Sequence, residues 1–260
     1  MNSLHFVTAG QGPLVVLSHA LGCDLSMWDG VSAALQDRYT VLRYDQRGHG
    51  LSHAPDRPYS MEDLAEDAAG LIRAHAPGQP VHFVGLSMGG MTAQALGARH
   101  PQLVRSLVIA NSASHYDEAA RAMWQARIDS VHAQGVPSIA DGAMLRWFTP
   151  EFRADVHAGG AARTAALRTV LERHASTPYA HACDAVARID LDAGNARIAC
   201  PTLVIAGTRD EATPPAMSAR IASTIPGARL RHLDAAHLSA VEQPAAFAAL
   251  LVEFWSSLPA

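Results

Sequence analysis

The stretch Val81-His82-Phe83-Val84-Gly85-Leu86-Ser87-Met88-Gly89 decides the fold. Its first four residues predict a short strand buried on both faces. The residues from Gly89 to Arg99 have helical spacing, so the strand passes directly into a helix. Ser87 therefore lies in a sharp strand–turn–helix junction. Gly85 and Gly89 carry no side chains that would clash there, and such a turn exposes the serine oxygen above the sheet.

Strand and helix signals alternate on both sides of this junction. Apolar runs of strand length occur at Leu14–Ser18 and Tyr39–Tyr44 before it, and at Ser106–Ala110 and Thr202–Ala206 after it. Segments with helical spacing separate several of these runs. Because strands that alternate with helices form parallel sheets, we predict an α/β fold with a mostly parallel, doubly wound sheet.

The alternation is interrupted between about residues 116 and 196. This stretch is rich in alanine and arginine and has no convincing strand pattern. Helical patches occur in it around Ala119–Val131, Ala140–Trp147, Ala161–Ala175 and Ala180–Ile189. We therefore predict a core in two parts, residues 1–115 and 197–260, with residues 116–196 inserted between them as a helical cap.

Composition excludes several functional classes. The chain has 260 residues, no lysine and a formal net charge of −4, so it offers no broad basic field for nucleic acid and no lysine for Schiff-base chemistry. Cys23, Cys183 and Cys200 form no metal-ligand cluster, and we expect neither a disulfide framework nor a metal site. Without a signal-peptide pattern or a run of about 18 apolar residues, we expect a cytoplasmic protein that does not bind membranes.

A serine hydroxyl needs an adjacent base before it can act as a nucleophile. In sheets of this kind the catalytic residues follow one another in the order Ser, acid, His. Asp210 and His237 each come shortly after a predicted strand, where sites form in open α/β sheets. We predict that Ser87 is the nucleophile, His237 the base and Asp210 the acid that orients it, with Glu211 as the alternative acid.

Two backbone N–H groups are expected to stabilise the negative charge that develops on the substrate oxygen. Met88 supplies one of them at the start of the helix. The loop His19-Ala20-Leu21-Gly22, after an early strand, supplies the other, and Leu21 is the favoured residue. We expect His19 to stabilise this loop by hydrogen bonds, because the order of the catalytic residues already assigns the base.

The segment Asp45-Gln46-Arg47-Gly48-His49-Gly50 follows the predicted strand Tyr39–Tyr44. Its charged side chains either contact substrate or stabilise a turn. Ion pairs more often belong to the scaffold than to a site, so we expect a turn held by an Asp45–Arg47 pair.

Five segments resemble the α/β-hydrolase superfamily and, more narrowly, the 3-oxoadipate enol-lactonases of bacterial aromatic degradation. They are Leu21–Trp28, Leu42–Gly50, Gly85–Met91, Arg146–Pro150 and Leu233–Ser239. Together they extend the resemblance over nearly the whole chain. The second and third segments are shared widely across the superfamily, and the first and fourth are more discriminating.

The resemblance implies the α/β-hydrolase fold with a helical cap over the site. It implies six site residues, namely a triad of Ser87, Asp210 and His237, oxyanion donors Leu21 and Met88, and Trp147 in the substrate pocket or in the core of the cap. It also implies a substrate with a free carboxylate, for which the cap offers Arg127, Arg146, Arg168 and Arg173.

The activity implied is hydrolysis of a small lactone or ester. The expected substrate is 3-oxoadipate enol-lactone of the β-ketoadipate pathway. The reaction is expected to need no metal or organic cofactor. Three alternatives use the same triad: a carboxylesterase, a cofactor-free perhydrolase, and a carbon–carbon bond hydrolase of aromatic degradation. The rival from another class is a binding protein that keeps the fold without turnover.

Overall fold

The computed structural model describes residues 4–259. Seven strands form one sheet: β1 (Phe6–Ala9), β2 (Leu14–Ser18), β3 (Thr40–Tyr44), β4 (Val81–Leu86), β5 (Val104–Ala110), β6 (Thr202–Gly207) and β7 (Arg229–Leu233). Their order across the sheet is β1-β3-β2-β4-β5-β6-β7. Only the β1–β3 pair is antiparallel among the described strands. The prediction of a mostly parallel, doubly wound sheet is confirmed.

Twelve α-helices accompany the sheet in residues 4–259. They are α1 (Asp29–Leu35), α2 (Met61–His75), α3 (Met88–Arg99), α4 (Glu118–Gln134), α5 (Ala140–Trp147), α6 (Pro150–Ala154), α7 (Gly160–Glu172), α8 (Ser176–Ala187), α9 (Asp192–Asn195), α10 (Pro215–Thr224), α11 (Ser239–Glu242) and α12 (Pro244–Ser256). The helices that flank the sheet pack against one another in two groups. In one group α1 packs on α12. In the other, α2 packs on α3, α3 on α9, and α9 on α10. No described helix combines the length and the apolar composition that crossing a membrane requires.

The helices α4 to α9 all lie between β5 and β6 in the chain. The four patches predicted from sequence correspond to α4, α5, α7 and α8, and α5 has the predicted bounds. In the described structure this stretch has no strand, and its β-type pairing is one isolated bridge between His115 and Asp190. The helix α1 was not predicted, because its seven residues are too few for a clear periodic signal.

The central strands are buried and the edge strands are not. Every residue of β4 and β6 is buried, whereas β1 and β7 at the two edges are largely exposed. Because β4, β5 and β6 are parallel, their carboxyl ends meet at one edge of the sheet. Ser87, Asn111 and Asp210 follow those three ends, so the topology brings them together.

Candidate active site

Ser87 occupies a strained junction between β4 and α3. Its φ of 56° and ψ of −115° are unfavourable for a residue with a side chain. Close backbone packing surrounds it: a Cβ on Gly85 would lie 1.9 Å from the Gly89 oxygen, and one on Gly89 would lie 2.1 Å from the Ser18 oxygen. The Ser112 hydroxyl donates to the Ser87 carbonyl oxygen at 2.8 Å. The predicted junction thus needs both glycines.

Asp210 and His237 form a buried pair. The His237 Nδ1 lies 3.0 Å from Oδ2 and 3.1 Å from Oδ1 of Asp210. Because a carboxylate only accepts hydrogen bonds, Nδ1 carries a hydrogen, and in the neutral ring the lone pair is then on Nε2. Nε2 has no hydrogen-bond partner within residues 4–259, so it is available to accept a proton.

The Asp210 carboxylate accepts several further hydrogen bonds. The backbone N–H groups of Ala212 and Thr213 donate to Oδ1 at 2.8 and 2.9 Å. The Thr213 hydroxyl and Asn111 Nδ2 donate to Oδ2 at 2.8 and 2.9 Å. Burial alone would raise the pKa of Asp210, but the electrostatic interaction and hydrogen bond with His237, together with these donors, outweigh it and hold the pKa below its usual value. Asp210 is therefore ionised at neutral pH.

Asn111 connects the two loops that carry this pair, and sequence reasoning missed it. It follows β5 with a φ of 46°. Besides its bond to Asp210, its Nδ2 donates to the Ala236 oxygen at 3.3 Å, and its Oδ1 accepts from the Ser239 hydroxyl at 2.6 Å. The available signal was an asparagine, which tolerates positive φ, directly after a predicted strand.

Leu21 and the N-terminus of α3 border the same space as Ser87. Leu21 lies in the turn after β2 and lines a cavity together with Ser87. No described group accepts a hydrogen bond from the Leu21 N–H. Met88 is the first residue of α3, where backbone N–H groups have no partner inside the helix. Leu21 thus borders the cavity at Ser87 and Met88 adjoins Ser87 in the chain, and their role as oxyanion donors stays a prediction.

His19 makes the kind of contacts predicted for it. Its Nε2 accepts from the Gln46 N–H at 2.9 Å, and its Nδ1 lies 2.8 Å from the Ala20 oxygen. The neighbouring His49 Nε2 accepts from the Gly22 N–H at 3.2 Å. Burial lowers the pKa of both histidines, so both rings are neutral acceptors that hold the loop.

The predicted Asp45–Arg47 ion pair is wrong. The Asp45 carboxylate accepts from the N–H groups of Leu25 and Leu51, at 2.8 and 2.9 Å. The Arg47 guanidinium instead binds Asp67 on α2, with Nε 2.5 Å from Oδ2. The partner of Arg47 is twenty residues away in the chain, so the local sequence did not reveal it.

A cavity of about 520 Å³ lies above the serine, a size typical of small-molecule sites. Ser87, His237, Leu21 and Trp147 all line it, and most of its other wall residues are apolar. Trp147 is buried at the end of α5. The structure therefore brings these predicted residues to one cavity, with Asp210 hydrogen-bonded to His237.

The structure also shows which of the remaining candidate residues lie at the cavity. Glu211 lines the cavity but makes no hydrogen bond to His237 in the described structure, which leaves Asp210 as the acid in contact. Arg127 and Arg146 line the cavity. Arg168 is bound elsewhere to Asp141 and Glu172, and Arg173 is exposed and is not among the cavity residues.

Comparisons with known proteins show which family the chain resembles in sequence and overall fold. The sequence profile of the alpha/beta hydrolase fold family matches residues 13–135. Two relatives from Acinetobacter baylyi, 3-oxoadipate enol-lactonases 2 and 1, are 38% and 34% identical, over 94% and 95% of this chain and 90% of each relative. The crystal structure of the enol-lactonase from Burkholderia xenovorans is 37% identical, with a TM-score of 0.91 over 98% of this chain and 96% of that chain.

Proposed function

The chain belongs to the α/β-hydrolase family together with the 3-oxoadipate enol-lactonases and is a hydrolase of ester bonds, and we propose that it opens a small lactone through an acyl-enzyme on Ser87. The observation that supports this most directly is the buried Asp210–His237 pair, whose histidine lines the same cavity as Ser87. The candidate reaction is hydrolysis of 3-oxoadipate enol-lactone to 3-oxoadipate, in the cytoplasm, as a step of aromatic degradation. The names of the relatives support that choice of substrate.

In the first step His237 Nε2 takes the hydroxyl proton of Ser87 while Oγ attacks the lactone carbonyl carbon. The ionised Asp210 carboxylate stabilises the imidazolium that forms. Within residues 4–259 the serine and the histidine are not hydrogen-bonded to each other, so their contact shortens as substrate fills the cavity.

The carbonyl oxygen becomes negatively charged in the tetrahedral intermediate. The backbone N–H groups of Leu21 and Met88 donate to it, and such a donor is worth about 3 kcal/mol of transition-state stabilisation. Met88 contributes additionally because the N-terminus of α3 carries a partial positive charge.

Collapse of this intermediate breaks the ring C–O bond, and the imidazolium of His237 returns its proton to the leaving enol oxygen. The enol stays attached through the acyl group and converts to the more stable ketone. A water molecule, deprotonated by His237, then attacks the acyl carbon and releases the acid and free Ser87. These steps need only the groups of the chain and water.

The helical residues 116–196 act as the cap in this proposal, on a core of residues 1–115 and 197–260. The cap contributes Trp147 from α5 and Tyr179 from α8 to the cavity wall. Both side chains are buried, and both lie next to Gly22 in the loop after β2, so each bounds the substrate site from the cap side.

Steady-state kinetics with 3-oxoadipate enol-lactone and p-nitrophenyl acetate tests the proposal. We expect a higher kcat/KM for the lactone, because it carries a carboxylate that the aryl ester lacks and two arginines line the cavity. Hydrolysis of the aryl ester without lactone activity would make the protein a carboxylesterase. Peroxide-dependent peracid formation as the main reaction would make it a perhydrolase.

A further inference from the structure

Arg127 on α4 and Arg146 on α5 line the cavity above Ser87, and both are partly buried. Within residues 4–259 neither guanidinium has a salt bridge or a side-chain hydrogen bond. Other arginines of the chain are paired with carboxylates, among them Arg47 with Asp67, Arg168 with Asp141 and Arg220 with Asp192. Arg127 and Arg146 are the arginines that line the described cavity, and among the described residues both lack such a partner.

The two charges are close enough to act on each other. Burial and the charge of Arg127 lower the pKa of Arg146, and Tyr179 and Glu211 oppose this effect. Glu211 is the acidic side chain among the described cavity residues, and it is exposed. The repulsion between two guanidinium groups is thus only partly offset, and an anion bound between them would relieve it.

The neighbouring side chains hold Arg127 without neutralising it. Its Cζ lies 5.3 Å from the centre of the Trp124 ring, a cation–π contact that orients the guanidinium and leaves its N–H groups available. Trp124 also lines the cavity. Guanidinium groups donate pairs of parallel hydrogen bonds that match the two oxygens of a carboxylate.

We propose that Arg127 and Arg146 form a carboxylate-binding subsite that selects substrates in which a free carboxylate is tethered to the reacting ester or lactone carbonyl. The inference rests on the proposed function and deepens it by assigning the residues that recognise the substrate. The carbonyl lies at Ser87 while the carboxylate lies against α4 and α5. A neutral ester of the same size forfeits both sets of hydrogen bonds.

Two esters with the same leaving group test the selection. Mono-p-nitrophenyl glutarate carries the free carboxylate, and p-nitrophenyl pentanoate is its neutral counterpart. We expect the ratio of kcat/KM for the anionic ester to that for the neutral ester to fall about 10-fold in Arg127→Ala or Arg146→Ala, mainly through KM. Arg146→Lys retains the charge and should retain part of the ratio.

The matched control is Arg168→Ala, which removes a partly exposed cap arginine that is bound to Asp141 and Glu172 and does not line the cavity. Its ratio should equal that of the wild type. An unchanged ratio in the double variant of Arg127 and Arg146, with its thermal melt still cooperative, overturns the inference.

Calorimetric binding of glutarate and glutaramide to the Ser87→Ala protein separates this inference from the proposed function, since it needs no turnover. We expect glutarate to bind and glutaramide not to bind, with the glutarate Kd rising about 10-fold in each arginine variant and at high salt. Equal binding of the two compounds contradicts the subsite even if the protein hydrolyses lactones. Selective glutarate binding supports it even if lactone hydrolysis is absent.

Discussion

The backbone N–H of Leu238 donates a hydrogen bond to the carbonyl oxygen of Trp147 at 3.0 Å. Leu238 directly follows His237 in the chain, and Trp147 ends α5 and bounds the cavity. The loop of the proposed base is therefore attached to the cavity wall. We therefore expect a change in the position of Trp147 to affect His237 through the peptide group that joins His237 to Leu238.

Glu242 provides a second attachment on the other side of His237. Its Oε2 accepts from the Ala236 N–H at 2.9 Å, and its Oε1 accepts from the Thr149 N–H at 2.5 Å. We predict that Glu242→Gln lowers kcat/KM about 10-fold or more, because an amide offers one oxygen where two N–H groups need acceptors, at a cost of about 1–3 kcal/mol. Stopped-flow labelling of Ser87 by a fluorophosphonate should slow in parallel.

The control for this variant is Glu253→Gln on the exposed side of α12, which should match the wild type in both assays. If Glu242→Gln lowers only the melting temperature while kcat, KM and the labelling rate are retained, Glu242 stabilises the fold without positioning His237.

Asn111 should stabilise the ionised form of the Asp210 carboxylate. Removing its Nδ2 donor weakens the stabilisation of the ionised carboxylate, so the pKa of Asp210 should rise towards its usual value. We predict that Asn111→Gly lowers kcat about 10-fold or more, the equivalent of about 1.5–3 kcal/mol for a hydrogen bond to a charged group. Glycine accepts the φ of 46°, so backbone strain does not contribute.

The pH dependence of this variant distinguishes the two possible effects. Loss of the Asp210 donor should move the acidic limb of the kcat profile to higher pH. A profile identical to that of the wild type, at full kcat, would show that Asn111 has no influence on the acid.

Gly207 allows the loop that carries Asp210 to lie close to the loop that carries His237. A Cβ there would lie 2.5 Å from the Ala236 oxygen and 2.7 Å from Asn111 Nδ2. We predict that Gly207→Ala destabilises the protein by about 1–3 kcal/mol and lowers activity, because the loops must separate. Gly70 on α2 has no atom within 4 Å of such a Cβ, so Gly70→Ala should stabilise by about 0.5–1 kcal/mol.

Urea unfolding measures both changes, and ester hydrolysis measures the effect on the site. A Gly207→Ala protein with the wild-type midpoint and activity would contradict the steric argument, and the Gly70 variant checks that alanine itself is not harmful.

Buried histidines should make the protein unstable in acid. Burial, with a contribution from Arg105, lowers the pKa of His82 to about 4, and its ring stacks on Trp255 at 4.8 Å between centroids. The unfolded chain therefore binds more protons than the folded chain between pH 6.5 and 4. The free energy of unfolding is thus fully retained above pH 6.5 and falls as pH decreases towards 4.

Urea unfolding at several pH values between 7.5 and 4.5 tests this. His82→Phe keeps an aromatic ring beside Trp255 and removes the titrating group, so it should reduce the slope of unfolding free energy against pH. Replacement of the exposed His132 by glutamine serves as the control. An unchanged slope in His82→Phe would exclude His82 as a source of acid instability.

Features of the site that depend on local patterns were predictable from sequence. The Ser87 junction is set by a strand, a helix and two glycines within one short segment. Asp210 and His237 were found because each follows a strand end. The contacts of Asn111 and the contact between Glu242 and Thr149 were not predictable, because they join residues about 90 to 130 positions apart.

The positions of the cap arginines relative to the cavity could not be predicted from sequence either. Helical spacing predicted the helices that carry Arg127, Arg146 and Arg168, but it does not say which helix face meets the cavity. That depends on how α4 packs on α8 and α5 on α7. Only the tertiary arrangement separates the two cavity residues from the one paired at the surface.

Rapid-quench mass spectrometry of the protein during turnover tests the acyl-enzyme on Ser87 most directly. With 3-oxoadipate enol-lactone, or with mono-p-nitrophenyl glutarate, we expect one acyl group per chain, located on the peptide that contains Ser87 and absent from Ser87→Ala. Turnover without any covalent adduct, an adduct on another residue, or full activity in folded Ser87→Ala would contradict a serine nucleophile at this position.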